Sequence, residues 1–477
     1  MSKISLTTTL PYVNADPHVG FALEVVQADA VARYHRLMGH EVFFNTGTDE
    51  HGQKIFERAQ AAGEEPQAYV DRYAARFELL REKLDLSYDA FIRTTDEKHV
   101  AAAQEFWRRC AARGDIYKKD YQVKYCVGCE LEKQESELVD GFCPFHPGKE
   151  LEERNEENYF FRFSAYQERL LALYDERPDF VVPQHRLNEI RAFIERGPQD
   201  FSISRLKEKM SWGIPVPDDD DHVMYVWFDA LVNYISTLDW PDEKHSEWWP
   251  SVQFAGKDNL RQQAAMWQAM LLSAGVEPSK QIFIHGFITS GGQKMSKSVG
   301  NVIAPFDIVE QYGTEALRYY LMRHVHPSED SDMTMERFHE CYTANLVNGL
   351  GNLVSRVMKL AETHLDVPVE RPETAAFPKE YTEAIERYEF NVAMDMIWKR
   401  VGDADETMST EQPFKLVKGS EEEVKRGKEV IAALVLELYA IGRMLQPFMP
   451  ATSDAVKATV LANTKPEGMF PRIDSVA

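Results

Sequence analysis

Two residues separate Cys126 from Cys129, and two separate Cys143 from His146, and thirteen residues lie between the two pairs. Three thiols and one imidazole at this spacing form two knuckles that can close around a single zinc ion. With four protein ligands no position is left for water, so the site is expected to be structural. The chain holds five cysteines, and three of them fall within eighteen residues, which points to metal rather than disulfides. A second stretch, GGQKMSKSVGN (Gly291–Asn301), carries Lys294 and Lys297 on a glycine-flanked loop. Two ammonium groups there suit a polyphosphate on which charge builds during a reaction. A third stretch, ADPHVGFALE (Ala15–Glu24), sets His18 and Gly20 where a helix should begin, a favoured place for phosphate. Taken alone, a Lys/Ser loop is as readily a solvated surface, and a single His-x-Gly decides nothing.

These groups need elements to position them. A chain of 477 residues is too long for one core, and three or four domains are expected. Composition is that of a soluble enzyme, 44% hydrophobic and 27% charged, without an apolar run of membrane-spanning length. The start, MSKISLTTTLPYV, lacks a long apolar segment and a cleavage site, so a cytoplasmic protein is expected. The net charge of −23 weighs against nucleic acid as partner. A site needs only a local patch, however, and Lys415, Lys418, Lys425, Arg426 and Lys428 could supply one. KISLTTTL reads as a strand, FALEVVQADAVARYHRLMG as a helix closed at Gly39, and HEVFFNTGTDEHG as a strand running into a polar loop. This is the first unit of a parallel, doubly wound sheet, whose ligands bind at the carboxyl ends of strands. His18 and Asp49 both fall at such ends. From about residue 333 the pattern is helical, with Leu346, Leu350, Leu353, Val354, Val357 and Leu360 on one stripe and a later helix expected to stop at Pro450.

The string KMSKS, with PHVG in the place of a HIGH motif, resembles the class I aminoacyl-tRNA synthetases. TTLPYVNADPHVGFAL, NTGTDEHGQKI, NEENYFFRFS, YVWFDALVNY, GKDNLRQQAAMWQAML, HGFITSGGQKMSKSVGN and NLVNGLGNLVSRVMK, in that order, resemble the methionyl-tRNA synthetases over nearly the whole chain. The resemblance implies a Rossmann-like α/β sheet split by a zinc-knuckle insertion and followed by an α-helical anticodon-binding bundle. Its implied divisions are residues 1–115, the first half of the catalytic domain; 116–220, the insertion, with the knuckle at about 121–150; 221–300, the second half with the KMSKS loop; 301–335, a linker contacting the tRNA stem; and 336–477, the anticodon domain. The implied reaction joins methionine and ATP to methionyl-adenylate, with Mg²⁺, and then transfers the methionyl group to the terminal adenosine of initiator and elongator tRNA(Met). Leu10, Tyr12, Trp227, Ala230, Leu231 and Tyr234 would surround the methionine side chain, and Asp49 would hold its ammonium. Apolar and aromatic walls suit a thioether. His18, Gly20, Gly256, Asp258, Lys294 and Lys297 would bind ATP, with His18, Lys294 and Lys297 taking part in catalysis. Asn352, Arg356 and Phe414 would read the anticodon. A monomer is expected.

The chain departs from the family pattern at four places. Phe21 stands where the second histidine of HIGH would be, Gln262 and Gln263 replace an aromatic–histidine pair, Leu231 replaces a proline, and Phe414 replaces a tryptophan. Gln262 and Gln263 are accordingly expected to repack the methionine pocket while keeping hydrogen bonds. Two other readings stand beside the main one. An inactive paralogue would bind tRNA without charging it, and a class I synthetase for another amino acid would activate leucine, valine or cysteine. Methionine-dependent pyrophosphate exchange separates the first of these, and a survey of amino acids the second. A phenyl ring cannot donate to phosphate, and removing one such donor elsewhere costs about 10²–10³ in rate. Phe21→His is therefore expected to leave ATP use intact and to change the exchange rate modestly; a large gain would mean that the natural site is impaired.

Overall fold

The computed structural model describes residues 2–129, 131–133, 137–295, 300–370 and 376–474. The chain forms two compact units, one of residues 1–17, 40–81 and 88–285 and the other of residues 18–39, 82–87 and 286–477.

The first unit is built on a six-stranded sheet. Its strands are β1 (Lys3–Thr8), β2 (Glu41–Thr48), β3 (Ala90–Arg93), β4 (Val181–Val182), β5 (Val252–Gly256) and β6 (Gln281–His285). They lie in the order β3-β2-β1-β5-β6-β4, and every neighbouring pair is parallel. The central strands are buried on both faces: five of six residues of β1 and all five of β5. That is why they read as near-continuous β-branched and apolar runs rather than as alternating ones. The order runs outward through β2 and β3 on one side of β1 and through β5 and β6 on the other. The strand order therefore reverses direction between β1 and β5, the switch point at which doubly wound sheets open a crevice.

Between β3 and β4 the chain leaves this sheet. Ile116–Cys126 and Glu152–Phe161 form a long antiparallel hairpin, flanked by Leu131–Lys133 on one side and Phe201–Ser202 on the other. The knuckle sequence lies at the hairpin's far end. At the hairpin's other end, where Tyr159 meets Trp107, an aromatic core gathers Phe106, Trp107, Phe228, Trp240 and Trp267, with Phe106 5.9 Å and Trp107 5.2 Å from Phe228 between ring centroids.

The second unit contains the helix Val19–Leu37 and most of the C-terminal helices. Among these are Asn352–His364, Phe390–Glu411, Glu421–Leu445 and Pro450–Ala462. Leu346, Leu350, Leu353, Val354 and Val357 are buried as the stripe predicts, while Leu360 is half-buried and Met358 and Ala361 complete the apolar face. Pro450 does not stop the helix before it. That helix has already ended at Leu445, and Pro450 opens the next one, at a position where its missing N–H costs nothing.

One buried cation joins four segments of this unit. Arg318, fully buried, donates from Nη2 to Asp29 at 2.8 Å, from Nε to the Phe448 carbonyl at 2.8 Å and from Nη1 to the Leu84 carbonyl at 3.0 Å. The same Asp29 accepts from Arg33 and from the Ser87 amide, each at 2.7 Å. Burial alone would raise the Asp29 carboxyl, but Arg318 and Arg33 hold it below its ordinary value.

Among the described residues no helix is long and apolar enough to cross a membrane. In the first unit His99 is fully buried against Ser236 Oγ at 3.0 Å, and burial, helped by the nearby His51, pushes it down from 6.5 to about 3. Between those values the unfolded chain takes up a proton that the folded chain refuses, so stability rises with pH across that window. Thermal unfolding midpoints are expected to fall as pH drops from about 6.5 toward 4, and His99→Asn is expected to flatten that slope.

Candidate functional site

At the carboxyl edge of the first unit's sheet, one cleft of about 280 Å³, its open mouth included, is lined by Thr9, Leu10, Asp49, Trp227, Ala230, Leu231, Asn233, Tyr234, Asn259 and Gln263. Three strand ends contribute. Thr9 and Leu10 follow β1, Asp49 follows β2, and Asn259 lies three residues beyond β5. The loop after β1 is held to the loop after β2 by the Asp49 amide on the Pro11 carbonyl (3.0 Å) and the Val13 amide on the Asp49 carbonyl (3.3 Å). The helix Val226–Ala230 supplies Trp227 and Ala230, and its Phe228 is anchored in the aromatic core.

Seven of the nine residues assigned to a methionine pocket thus meet in one space. Tyr12 and Gln262 are not among the cleft's walls. Tyr12 sits beside it, bridged through its backbone to Asp49, with the Lys54 ammonium 5.5 Å from its ring centroid. Gln262 is buried one position before Gln263 in a short π-helical turn, Gln262–Met266. Gln263 Nε2 donates to the Tyr234 hydroxyl at 2.7 Å, which ties two walls together. Thr9, Asn233 and Asn259 are walls the sequence reading missed. Asn259 follows directly on the GKD motif and Asn233 lies inside VWFDALVNY, so both were within reach of the same stretches.

The charged floor is more elaborate than the sequence suggests. Glu50 is fully buried, and its carboxylate takes a fork from Arg93 (2.7 and 2.9 Å) and the Thr48 hydroxyl (2.7 Å). His51 Nδ1 lies 3.1 Å from Asp229 Oδ2, again inside the protein. Gly256 ends β5, and Asp258 stands exposed two residues later.

The knuckle of the first unit brings Cys126, Cys129, Cys143 and His146 together, their ligand atoms all within 4.8 Å of one another. Gly128 makes that possible, since a Cβ there would stand 2.5 Å from the His146 ring. Three soft thiolates and an imidazole drawn this close fit zinc. The four residues would hold it, and the ion would supply a cross-link between the two halves of the knuckle.

In the second unit His18 caps the helix Val19–Leu37, its Nδ1 accepting the Gly20 N–H at 3.1 Å. Because Nδ1 is the acceptor, the neutral ring carries its proton on Nε2, the atom able to donate to an anion at this helix N-terminus. The KMSKS stretch begins as a hairpin, Ile288–Ser290 with Gln293–Lys294, turned by Gly291 and Gly292 at φ +62 and +72. Only glycine adopts two such angles at little cost. Asp332 secures the turn by accepting the Gly292 N–H at 2.8 Å and the Thr289 hydroxyl at 2.9 Å. The Lys294 side chain and all of Lys297 lie outside the described residues. Among the anticodon candidates, Asn352 is exposed, Arg356 pairs with Asp405 at 2.7 Å, and Phe414 is 37% exposed. In the basic stretch, Arg426 is paired with Glu411 and Lys428 with Asp366.

A switch-point cleft between parallel strands, a helix capped by His18 and a glycine-turned KMSKS hairpin define a class I synthetase. The family model described as tRNA synthetases class I (M) matches residues 4–153 and 137–358. The methionine–tRNA ligase of Thermosynechococcus vestitus is 42% identical over 473 residues, 95% of this chain and 89% of that one. That of Thermotoga maritima is 39% identical over 485 residues, 97% of this chain and 76% of its own. The solved Mycobacterium tuberculosis methionyl-tRNA synthetase in complex with methionyl-adenylate superposes with a TM-score of 0.90 at 36% identity, covering 99% of this chain and 100% of that one. The chain belongs to the methionine–tRNA ligases, the M family of the class I tRNA synthetases.

The purified protein is expected to carry one equivalent of zinc by elemental analysis. Cys143→Ser is expected to lose it and to lower the melting temperature; full occupancy in that variant would refute the four-ligand assignment.

Proposed function

We propose that this chain activates methionine and attaches it to tRNA(Met). In the first step a methionine carboxylate oxygen attacks the α-phosphorus of ATP, forming methionyl-adenylate and releasing pyrophosphate. In the second, a ribose hydroxyl of the terminal adenosine attacks the activated carbonyl carbon, and AMP leaves. No covalent enzyme intermediate is needed, so the protein's contribution is alignment and charge stabilisation.

The observation that carries the reading is the cleft, which sets one buried carboxylate, Asp49, beside the apolar and aromatic walls Leu10, Trp227, Ala230, Leu231 and Tyr234. One buried anion suits one ammonium, and the walls suit a thioether. The family membership points the same way. His18 through Nε2, with the adjoining helix amides, and Lys294 and Lys297 are read as the groups on the ATP phosphates. Mg²⁺ would enter with ATP. Gly256 and Asp258 are read as the ribose site, the carboxylate accepting from hydroxyls. Asn352, Arg356 and Phe414 are read as the anticodon contact, the exposed ring offering a face for a base to stack on. Work as a cytoplasmic monomer is part of the same proposal and rests on the sequence alone.

Methionine-dependent exchange of pyrophosphate into ATP is the test. Faster exchange with any other amino acid would overturn the substrate. Losing one partner of a buried charge pair costs about 2–5 kcal/mol. Asp49→Ala is accordingly expected to raise the methionine KM by at least tenfold while leaving the ATP KM within a factor of about two.

A further inference from the structure

Behind the cleft, the loop that supplies its charge is fastened to the helix that supplies its indole. Asp49 and His51 stand two residues apart just beyond β2, and Trp227 and Asp229 stand two apart in the helix Val226–Ala230. The first member of each pair lines the cleft. The second members meet each other, His51 Nδ1 and Asp229 Oδ2 being 3.1 Å apart with side chains 7% and 0% exposed. We propose that His51 and Asp229 form a buried clasp that fixes the Asp49 carboxylate relative to the Trp227 indole, and so act as positioning residues for the bound amino acid. The inference rests on the methionine-binding reading of the cleft given above.

The surroundings leave this contact with a distinct task. On its other side the Asp49–His51 loop is pinned by Glu50, whose carboxylate holds Arg93 at the end of β3 and whose carbonyl accepts from Trp212 Nε1 at 2.6 Å. The Trp212 ring also packs on His51, 5.5 Å between centroids. On the helix side Phe228 is locked between Phe106 and Trp107. Loop and helix are thus each fixed to a different part of the unit, and His51–Asp229 is the polar bond that sets one against the other. The cost of keeping a carboxylate there is visible. Asp229 Oδ1 is buried without a hydrogen-bond partner among the described residues. Buried polar atoms are nearly always satisfied, so an exception calls for a reason. An apolar residue in the same place would be cheaper to bury but would leave His51 without its partner. Burial raises the Asp229 carboxyl while His51 pulls it back down, and His99, beside the same pair, is kept neutral by burial.

The experiment uses the full chain loaded with zinc and measures methionine-dependent pyrophosphate exchange, with KM determined separately for methionine and for ATP. His51→Ala and Asp229→Ala are each expected to raise the methionine KM about tenfold, with the ATP KM within a factor of two. The double variant is expected to be no worse than the worse single, because one bond is lost once. His51→Asn places an amide N–H where Nδ1 stands and is expected to recover most of the methionine affinity. Should the alanine variants fail to fold, His51→Asn and Asp229→Leu keep the volume and serve instead, the first near wild type and the second, which offers no acceptor, raised in methionine KM alone. Unchanged methionine KM, additive singles, or equal rises in both KM values would overturn the clasp. A wild-type protein without methionine-dependent exchange would overturn the functional reading instead.

Discussion

Charges at the carboxyl edge of the parallel sheet lie where water is scarce, and each must be matched by a neighbour. Three consecutive acidic or titratable residues, Asp49, Glu50 and His51, are 4%, 0% and 5% exposed. Removing one partner from such a set is costly, since the other charge stays buried and unpaired. Glu50 answers to Arg93 and His51 to Asp229, so the loop is determined on two sides before any ligand arrives. The Asp49 carboxylate at the cleft is thereby set at a defined place. A site that must choose one small amino acid among many needs such fixed geometry more than it needs many contacts.

The helix start at His18 and the lysine loop, read above as the contacts to phosphate, are built with the same economy. The capping bond from Gly20 settles which nitrogen of His18 carries the proton, and two glycines with one carboxylate, Asp332, shape the start of the lysine loop. The capped helix start and the glycine turn are local, and so a short sequence motif is enough to signal them, whereas Asp332 reaches the turn from 40 positions away.

Legibility in the sequence followed that division. The strands at Lys3–Thr8 and Glu41–Thr48, the capped helix after His18 and the ligand set Cys126, Cys129, Cys143 and His146 were readable because each is encoded by neighbours in the chain. Most of the cleft's walls were readable from motif stretches. The His51–Asp229 bond was not, because a contact spanning 178 positions has no periodicity and no local composition to mark it. Pro450 misled for a related reason. A proline breaks the helix it enters from behind and begins the helix it leads, and the distinction depends on where the preceding helix ends.

Arg318 reaches three of its partners through main-chain carbonyls, those of Leu84, Pro447 and Phe448. A carbonyl is the same whatever side chain it belongs to. Over evolutionary time those three positions are therefore free of the hub's demands on residue type, while Arg318 and Asp29 are bound to each other by charge and shape. Descendants of this chain would be expected to change the segments that meet there quite freely, and to change the arginine and the aspartate together or not at all.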